Sequence, residues 1–193
     1  MLPPEQALSG STLTETSIRR KRALAASWMA WPWRWLQVTV TNVFGKKSGT
    51  AARSQNRIPF LVGVRDLDEE ERRALELSKV LVVPAAALKR RDMRGSLVTA
   101  LEQLRSQTDE IYLHLDIDVL DPEEAPGVEF RSRGGLFLNE MEPALETIGK
   151  YFRIRAANLA AYNPDLDEND TTLRSGFRLL AAVVDAVSAR RDV

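Results

Sequence analysis

Between residues 58 and 188 the spacing of apolar and polar positions switches repeatedly between strand-like and helix-like periods. Residues 60–64 form an apolar run of strand length, and Asp68, Glu69, Glu70 and Glu71 then place carboxylates where the first turn of a helix favours them, which predicts a helix to about Leu77. Residues 80–83 read as a second, short, fully apolar strand. Residues 94–105 carry Leu97, Ala100, Leu101 and Leu104 at helical spacing, so an amphipathic helix is predicted there. Residues 111–118 are the next strand. Asn139, with Glu142 three residues on, predicts a capped helix whose buried stripe is Ala144, Leu145 and Ile148. Residues 152–161 give a last strand, and residues 172–189 a long helix with Leu173, Phe177, Leu180, Val184 and Val187 facing inward. Strands alternating with helices in this way predict an α/β protein built on a parallel sheet.

The strand at 111–118 carries the chemistry. It runs into Leu115-Asp116-Ile117-Asp118-Val119-Leu120-Asp121-Pro122. Side chains two apart on a strand point the same way, so Asp116 and Asp118 are predicted to project from one face. Like charges held that close repel unless a cation lies between them, and hard divalent cations take oxygen ligands of this kind. The same residues also read as a strand end whose carboxylates cap a turn, with Asp121-Pro122 as the turn opener. Asp-x-Asp after an apolar strand is in addition the nucleophile and acid pair of haloacid-dehalogenase-like phosphatases, which use magnesium. That motif usually opens its domain, and no later acidic pair and lysine follow here in suitable order. His114, the single histidine of the chain, precedes Asp116 by two residues and reads as a hydrogen-bonded core or rim residue.

Further motifs follow in order: Asp121-Pro122-Glu123-Glu124-Ala125-Pro126-Gly127, Gly134-Gly135-Leu136 and Asn163-Pro164-Asp165-Leu166-Asp167. Together with Gly63-Val64-Arg65-Asp66-Leu67-Asp68 upstream, they resemble the C-terminal half of the ureohydrolase family, which contains arginases, agmatinases and formiminoglutamases. The resemblance covers residues 58–188. It implies a partial three-layer α/β fold with a parallel sheet and a pair of Mn2+ ions at the carboxyl ends of the strands. A hydroxide bridging those ions attacks the carbon of a guanidinium, amidine or formimino group in a small-molecule substrate. By the match, Asp116 and Asp118 stand at metal-ligand positions, Asp116 being the one that bridges both ions. The resemblance also exposes departures. The family draws two histidines and three further aspartates from a Gly-Gly-Asp-His and an Asp-Ala-His-x-Asp motif, and His114 corresponds to neither histidine. The family's Glu-x-Asn-Pro, whose glutamate pairs with a guanidinium, reads here Ala161-Tyr162-Asn163-Pro164. A guanidino substrate is thereby placed in doubt even for an intact relative.

Residues 1–57 have another character. All four tryptophans fall within 28–35, and residues 1–60 hold nine Lys or Arg against two Asp or Glu, whereas 61–193 hold eighteen against twenty-five. Such a break marks a domain boundary or a foreign segment. Tryptophan and methionine each have one codon, so Trp28-Met29-Ala30-Trp31-Pro32-Trp33-Arg34 fixes most of its nucleotides. Read from the third base of each codon, these give Asp, Gly, an aliphatic residue, Ala, an aliphatic residue, then Ala or Glu. The same offset over 10–18 permits aspartate, alanine, histidine, glycine and aspartate in that order, the missing family motif. The expectation is that residues 1–57 are an irregular or non-native segment translated out of frame, that residues 58–193 are the C-terminal half of an arginase-like domain, and that the chain is truncated and inactive. The competing reading of the segment is a basic, tryptophan-bearing arm for a membrane surface or nucleic acid, carried by Arg19-Arg20-Lys21-Arg22 and Lys46-Lys47. Pro32 interrupts the cluster and no helical stripe organises it, so neither partner is expected.

Composition adds bounds. The 193 residues are 44% hydrophobic and 28% charged with zero net charge, so nothing steers the chain toward an acidic partner. No cysteine occurs, which rules out thiolate chemistry and fits a reducing cytoplasm. No apolar stretch reaches membrane-spanning length, and a signal peptide is not expected. The run Lys89-Arg90-Arg91 reads as a solvated face. A half-sheet would leave strand edges open, so poor thermal cooperativity and association with a second copy or a full-length homologue are expected. A non-catalytic scaffold or interaction module is the third functional class the pattern admits.

Overall fold

The structure is a computed structural model and describes residues 36–40, 58–78, 80–89 and 93–188. The tryptophan cluster at 28–35, the basic runs at 19–22 and 46–47, the segment at 10–18, and residues 90–91 lie outside the described residues.

The elements are β1 (Leu36–Val40), β2 (Ile58–Val64), α1 (Glu69–Glu76), β3 (Leu81–Pro84), the single turn α2 (Ala85–Leu88), α3 (Met93–Arg105), β4 (Glu110–Asp116), α4 (Leu138–Tyr151), β5 (Arg153–Ala160) and α5 (Thr171–Ser188), with short 3-10 turns at Ile117–Val119 and Pro164–Leu166. The strands form one five-stranded sheet in the order β3-β2-β1-β4-β5. The β2-β3 and β4-β5 pairs are parallel, as strands linked through helices must be. β1 runs antiparallel to both β2 and β4 and joins the two parallel pairs. It falls within the stretch expected to be irregular. Its sequence, Leu36-Gln37-Val38-Thr39-Val40, alternates apolar and polar residues and is rich in β-branched side chains, which suits a strand.

In β2 the consecutive residues Phe60, Leu61 and Val62 are all buried, and since neighbours on a strand face opposite ways, both faces of the sheet are covered there. In β4 the alternate residues Ile111, Leu113 and Leu115 are fully buried while Tyr112 and His114 are half-buried. β5 ends the sheet and buries only Ile154 fully.

Helix starts follow local chemistry. Asp68 caps α1 by accepting the Glu71 amide at 2.8 Å while Glu71 accepts the Asp68 amide at 3.1 Å, so the acidic run closes a reciprocal cap. At α4 the cap differs from the Asn139–Glu142 expectation: Phe137 precedes the helix and Glu140 accepts its amide at 2.8 Å. Glu124, reaching across from the loop after β4, accepts the next amide, that of Leu138, at 2.6 Å. The stripe Ala144, Leu145 and Ile148 is buried as the spacing predicts.

The inward face of α5 is a correction. Leu173, Phe177, Leu180 and Val184 are exposed at 36%, 64%, 39% and 63%, and the helix instead buries Thr172, Ser175, Gly176, Leu179, Val183 and Ala186. Close approach selects that face. A β-carbon on Gly149 of α4 would lie 2.7 Å from the Ala186 side chain, and one on Gly176 would lie 3.2 Å from both Ile117 and Leu159. Small residues let the backbones come together, and the larger apolar side chains are turned aside.

Candidate functional site

β4 ends at Asp116, and the ending is set by that side chain. Asp116 keeps an extended backbone (φ −94°, ψ 124°) while its Oδ1 accepts the Asp118 amide at 3.1 Å, closing a local turn that carries Asp118 out of the strand and into Ile117–Val119. The strand-alternation argument for the pair is therefore corrected: Asp116 belongs to β4 and Asp118 to the turn. Both are nevertheless buried, at 0% and 3% exposure. The Asp116 Oδ2 is buried and accepts no hydrogen bond from the described residues. Burial raises the Asp116 carboxyl above the usual carboxylate range; the Asp118 amide and side chain, His114 and Arg65 pull the other way without overcoming it.

Asp121 has a different role. Its Oδ1 accepts the Glu123 amide at 3.2 Å and its Oδ2 the Gly134 amide at 2.9 Å, so it opens the turn and ties the Gly134-Gly135 loop to it. Gly135 lies so tightly against the Leu120 and Asp121 backbone that any β-carbon would collide with it. The loop at 122–127 is strapped to the start of α5. The Gly127 amide donates to Thr172 Oγ1 at 2.6 Å, and Ser175 Oγ donates to the Glu124 carbonyl at 2.7 Å. Asp167 caps α5, accepting the Thr172 and Leu173 amides at 3.0 and 2.9 Å. Burial alone would raise its carboxyl, yet these amides and that of Thr171 hold it below the usual range.

His114 lies half-buried on β4, with Nδ1 2.9 Å from the Asn158 Oδ1 that also accepts the Tyr112 hydroxyl at 2.7 Å. An amide oxygen only accepts, so in this arrangement His114 Nδ1 carries the proton. The rim reading of His114 matches these bonds. Ala161, at the end of β5, adopts φ +67°, a left-handed conformation that costs about 1–2 kcal/mol for a residue with a β-carbon. An open apolar pocket of about 70 Å³ is lined by residues including Ile117, Leu159, Tyr162, Gly176 and Phe177.

Among the described residues no group of three or more His, Cys, Asp or Glu side chains is placed to hold a metal ion. The buried Asp116 Oδ2 has the chemistry of a cation ligand, but two carboxylates supply too few oxygens for the octahedral shell that manganese prefers. The described residues do not by themselves fit a two-ion centre.

Sequence reasoning left Arg65, Asn158 and Asp167 without a role. Arg65 stands directly after a strand ending Gly63-Val64, and Gly63, at φ +81°, would place a β-carbon 2.5 Å from Val119. A glycine and an arginine at a strand end were the signal that this strand meets the acidic turn.

Buried carboxylates at the carboxyl end of a sheet strand, with a glycine loop tied to the same turn through Asp121, give an α/β protein whose candidate site lies on the edge where such sheets place their chemistry. The Arginase family profile matches residues 20–185, and the chain belongs to that family. The match begins inside the segment expected to be out of frame. The arginase of Bacillus caldovelox is 32% identical over 123 residues, 64% of this chain and 41% of the relative. The formimidoylglutamase of Ralstonia nicotianae is 29% identical over 158 residues, 82% of this chain and 42% of the relative. The solved structure of the Bacillus caldovelox arginase superposes with a TM-score of 0.59 at 31% identity, covering 64% of this chain and 42% of that one. The chain thus spans about 41% of the length of the first of these relatives. Family membership sets aside the dehalogenase-like phosphatase alternative.

Proposed function

We propose that this chain carries the Asp116–Asp118 segment of a ureohydrolase whose whole form hydrolyses a guanidino, amidino or formimino carbon–nitrogen bond with Mn2+, and that the chain alone is inactive. The observation that supports this most directly is the pair of buried carboxylates, with Asp116 Oδ2 accepting no hydrogen bond and no third ligand grouped with them among the described residues. In the whole site Asp116 and Asp118 are the residues that would hold metal, and the bound ions would supply an activated hydroxide. Ala161 in place of a carboxylate weighs against a guanidinium and toward a less basic imino group. The similarity to a formimidoylglutamase over 82% of this chain points the same way.

Among the described residues no helix is long and apolar enough to cross a membrane. We place the protein in the cytoplasm, in association with a second copy or a full-length homologue. The shift of reading frame over residues 1–57 belongs to the same proposal. The gene's nucleotide sequence decides it, since stops in the offset frame, or the lack of an Asp-Ala-His there, would remove the frame reading.

The functional test is turnover of arginine, agmatine and formiminoglutamate by the purified chain with added Mn2+. No product above the metal-only control is expected. Sustained release of urea or formamide would overturn the claim of inactivity, and its substrate order would identify the true activity.

A further inference from the structure

We propose that Arg65 is the positioning residue of the acidic turn, a guanidinium clamp that fixes where Asp118 stands relative to Asp116. The inference rests on the reading of Asp116 and Asp118 as the functional carboxylates.

Arg65 follows β2, which is separated from β4 in the sheet by β1, yet its side chain spans the gap. Nη2 donates to the Asp118 carbonyl, to the Leu120 carbonyl at 3.3 Å and to the Ser132 carbonyl at 3.2 Å; Nη1 donates to the Val119 carbonyl at 3.3 Å, and Nε to the Ser132 carbonyl at 3.3 Å. Three successive carbonyls of the turn thus converge on one planar cation, and a fourth ties in the loop that runs on to Gly134-Gly135. Carbonyls aimed inward at a turn repel one another, and a planar group with five donors in a fixed fork can satisfy them together. With its carbonyls held, the turn directs the Asp118 amide onto Asp116 Oδ1. The surroundings bring β2 close enough for this reach: Gly63 leaves room for Val119, and Ser132 Oγ donates to Asp66 Oδ2 at 3.0 Å beside the clamp. A lysine has the charge but not the fork, so the clamp predicts that charge alone does not substitute.

The test compares amide hydrogen exchange in the wild-type chain, Arg65→Met and Arg65→Lys, without added metal. The reporters are the Asp118 and Leu120 amides, bonded to Asp116 Oδ1 and the Ile117 carbonyl, and the Asp121 and Leu136 amides, which cross-link the turn to the glycine loop. Exchange at these four is expected to rise at least about tenfold in both variants, since each charge-assisted bond contributes more than a neutral one. Amides within α4 are expected to keep their wild-type rates. Wild-type protection at the turn in Arg65→Met, recovery of protection in Arg65→Lys, or a uniform rise across α4 and α5 would each overturn the positioning role. Should a variant fail to fold, the wild-type guanidinium decides: restricted rotation with separately resolved Nη signals is expected in NMR, and freely averaged signals would refute the clamp. A wild-type chain that binds two Mn2+ ions tightly would count against the proposed function while leaving this comparison intact.

Discussion

The orientation of α5 can be read out by removing one side chain from each of its two apolar faces. Leu179 is fully buried beneath the helix, whereas Phe177, two residues earlier and the larger group, is 64% exposed. Leu179→Ala deletes a side chain from a packed interior, and a loss of about 3 kcal/mol is expected, within the usual range of about 2–5 for such a change. For a domain of this size that lowers the Tm by roughly 6–12 °C. Phe177 removes only about a third of its surface from water, so Phe177→Ala forfeits about 0.5–1 kcal/mol of burial, and the better helix propensity of alanine returns about half a kcal/mol. The net change is expected to stay within about 0.5 kcal/mol. Urea denaturation followed by circular dichroism measures both, and amide exchange within α5 gives a second readout if the transition is broad. A large loss for Phe177→Ala alongside a small one for Leu179→Ala would show that the face predicted by the spacing of large apolar residues is the buried one, and that the small-residue packing of α4 on α5 is wrong.

Two further outcomes concern pH. The Asp167 carboxyl is held below its ordinary value, so the stability it contributes is present above the unfolded carboxylate pKa of about 3.9 and is lost as pH falls through the lower, folded value. Asp167→Asn should therefore destabilise by about 1 kcal/mol near neutral pH, with the gap to wild type closing in acid; a gap constant from pH 7 down to pH 3, on the order of the full titration range, would refute the capping role. Asp116 is shifted the other way. Stability linked to its protonated form is present below the unfolded value and is lost as pH rises through the folded one, so Asp116→Asn should gain on wild type as pH increases in metal-free buffer. An Asp116→Asn variant that loses ground with rising pH would mean that a cation or donor compensates the charge.

Much of the fold was legible because it rests on local signals. The Asp68–Glu71 cap, the buried stripe of α4 and the alternating burial of β4 follow from spacing alone. The departures have non-local causes. Asp118 left the strand because the Asp116 side chain competes with the sheet for its amide, a choice that apolar alternation does not record. The α4 cap moved to Phe137 because Glu140 and the distant Glu124 take up the first amides, and only the second of these depends on tertiary contact. The buried face of α5 departs from the spacing of large apolar residues because close approach, and not side-chain size, selects it. The short α2 turn and β1 passed unnoticed, the first for want of length and the second because its surroundings read as foreign sequence. At the candidate site, the Asp116 and Asp118 pair is visible in the sequence pattern, whereas Arg65 hydrogen-bonds to carbonyls more than fifty residues away, and no spacing rule reaches that far.

Metal stoichiometry on the full chain bears most directly on whether this polypeptide holds part or all of a two-ion centre. In a Mn2+ titration followed by calorimetry and electron paramagnetic resonance, the carboxylate pair is expected to take up at most one ion, weakly, with the spectrum of an isolated Mn2+ and with uptake lost in Asp116→Asn. Two tightly bound ions per chain giving a spin-coupled spectrum would contradict it.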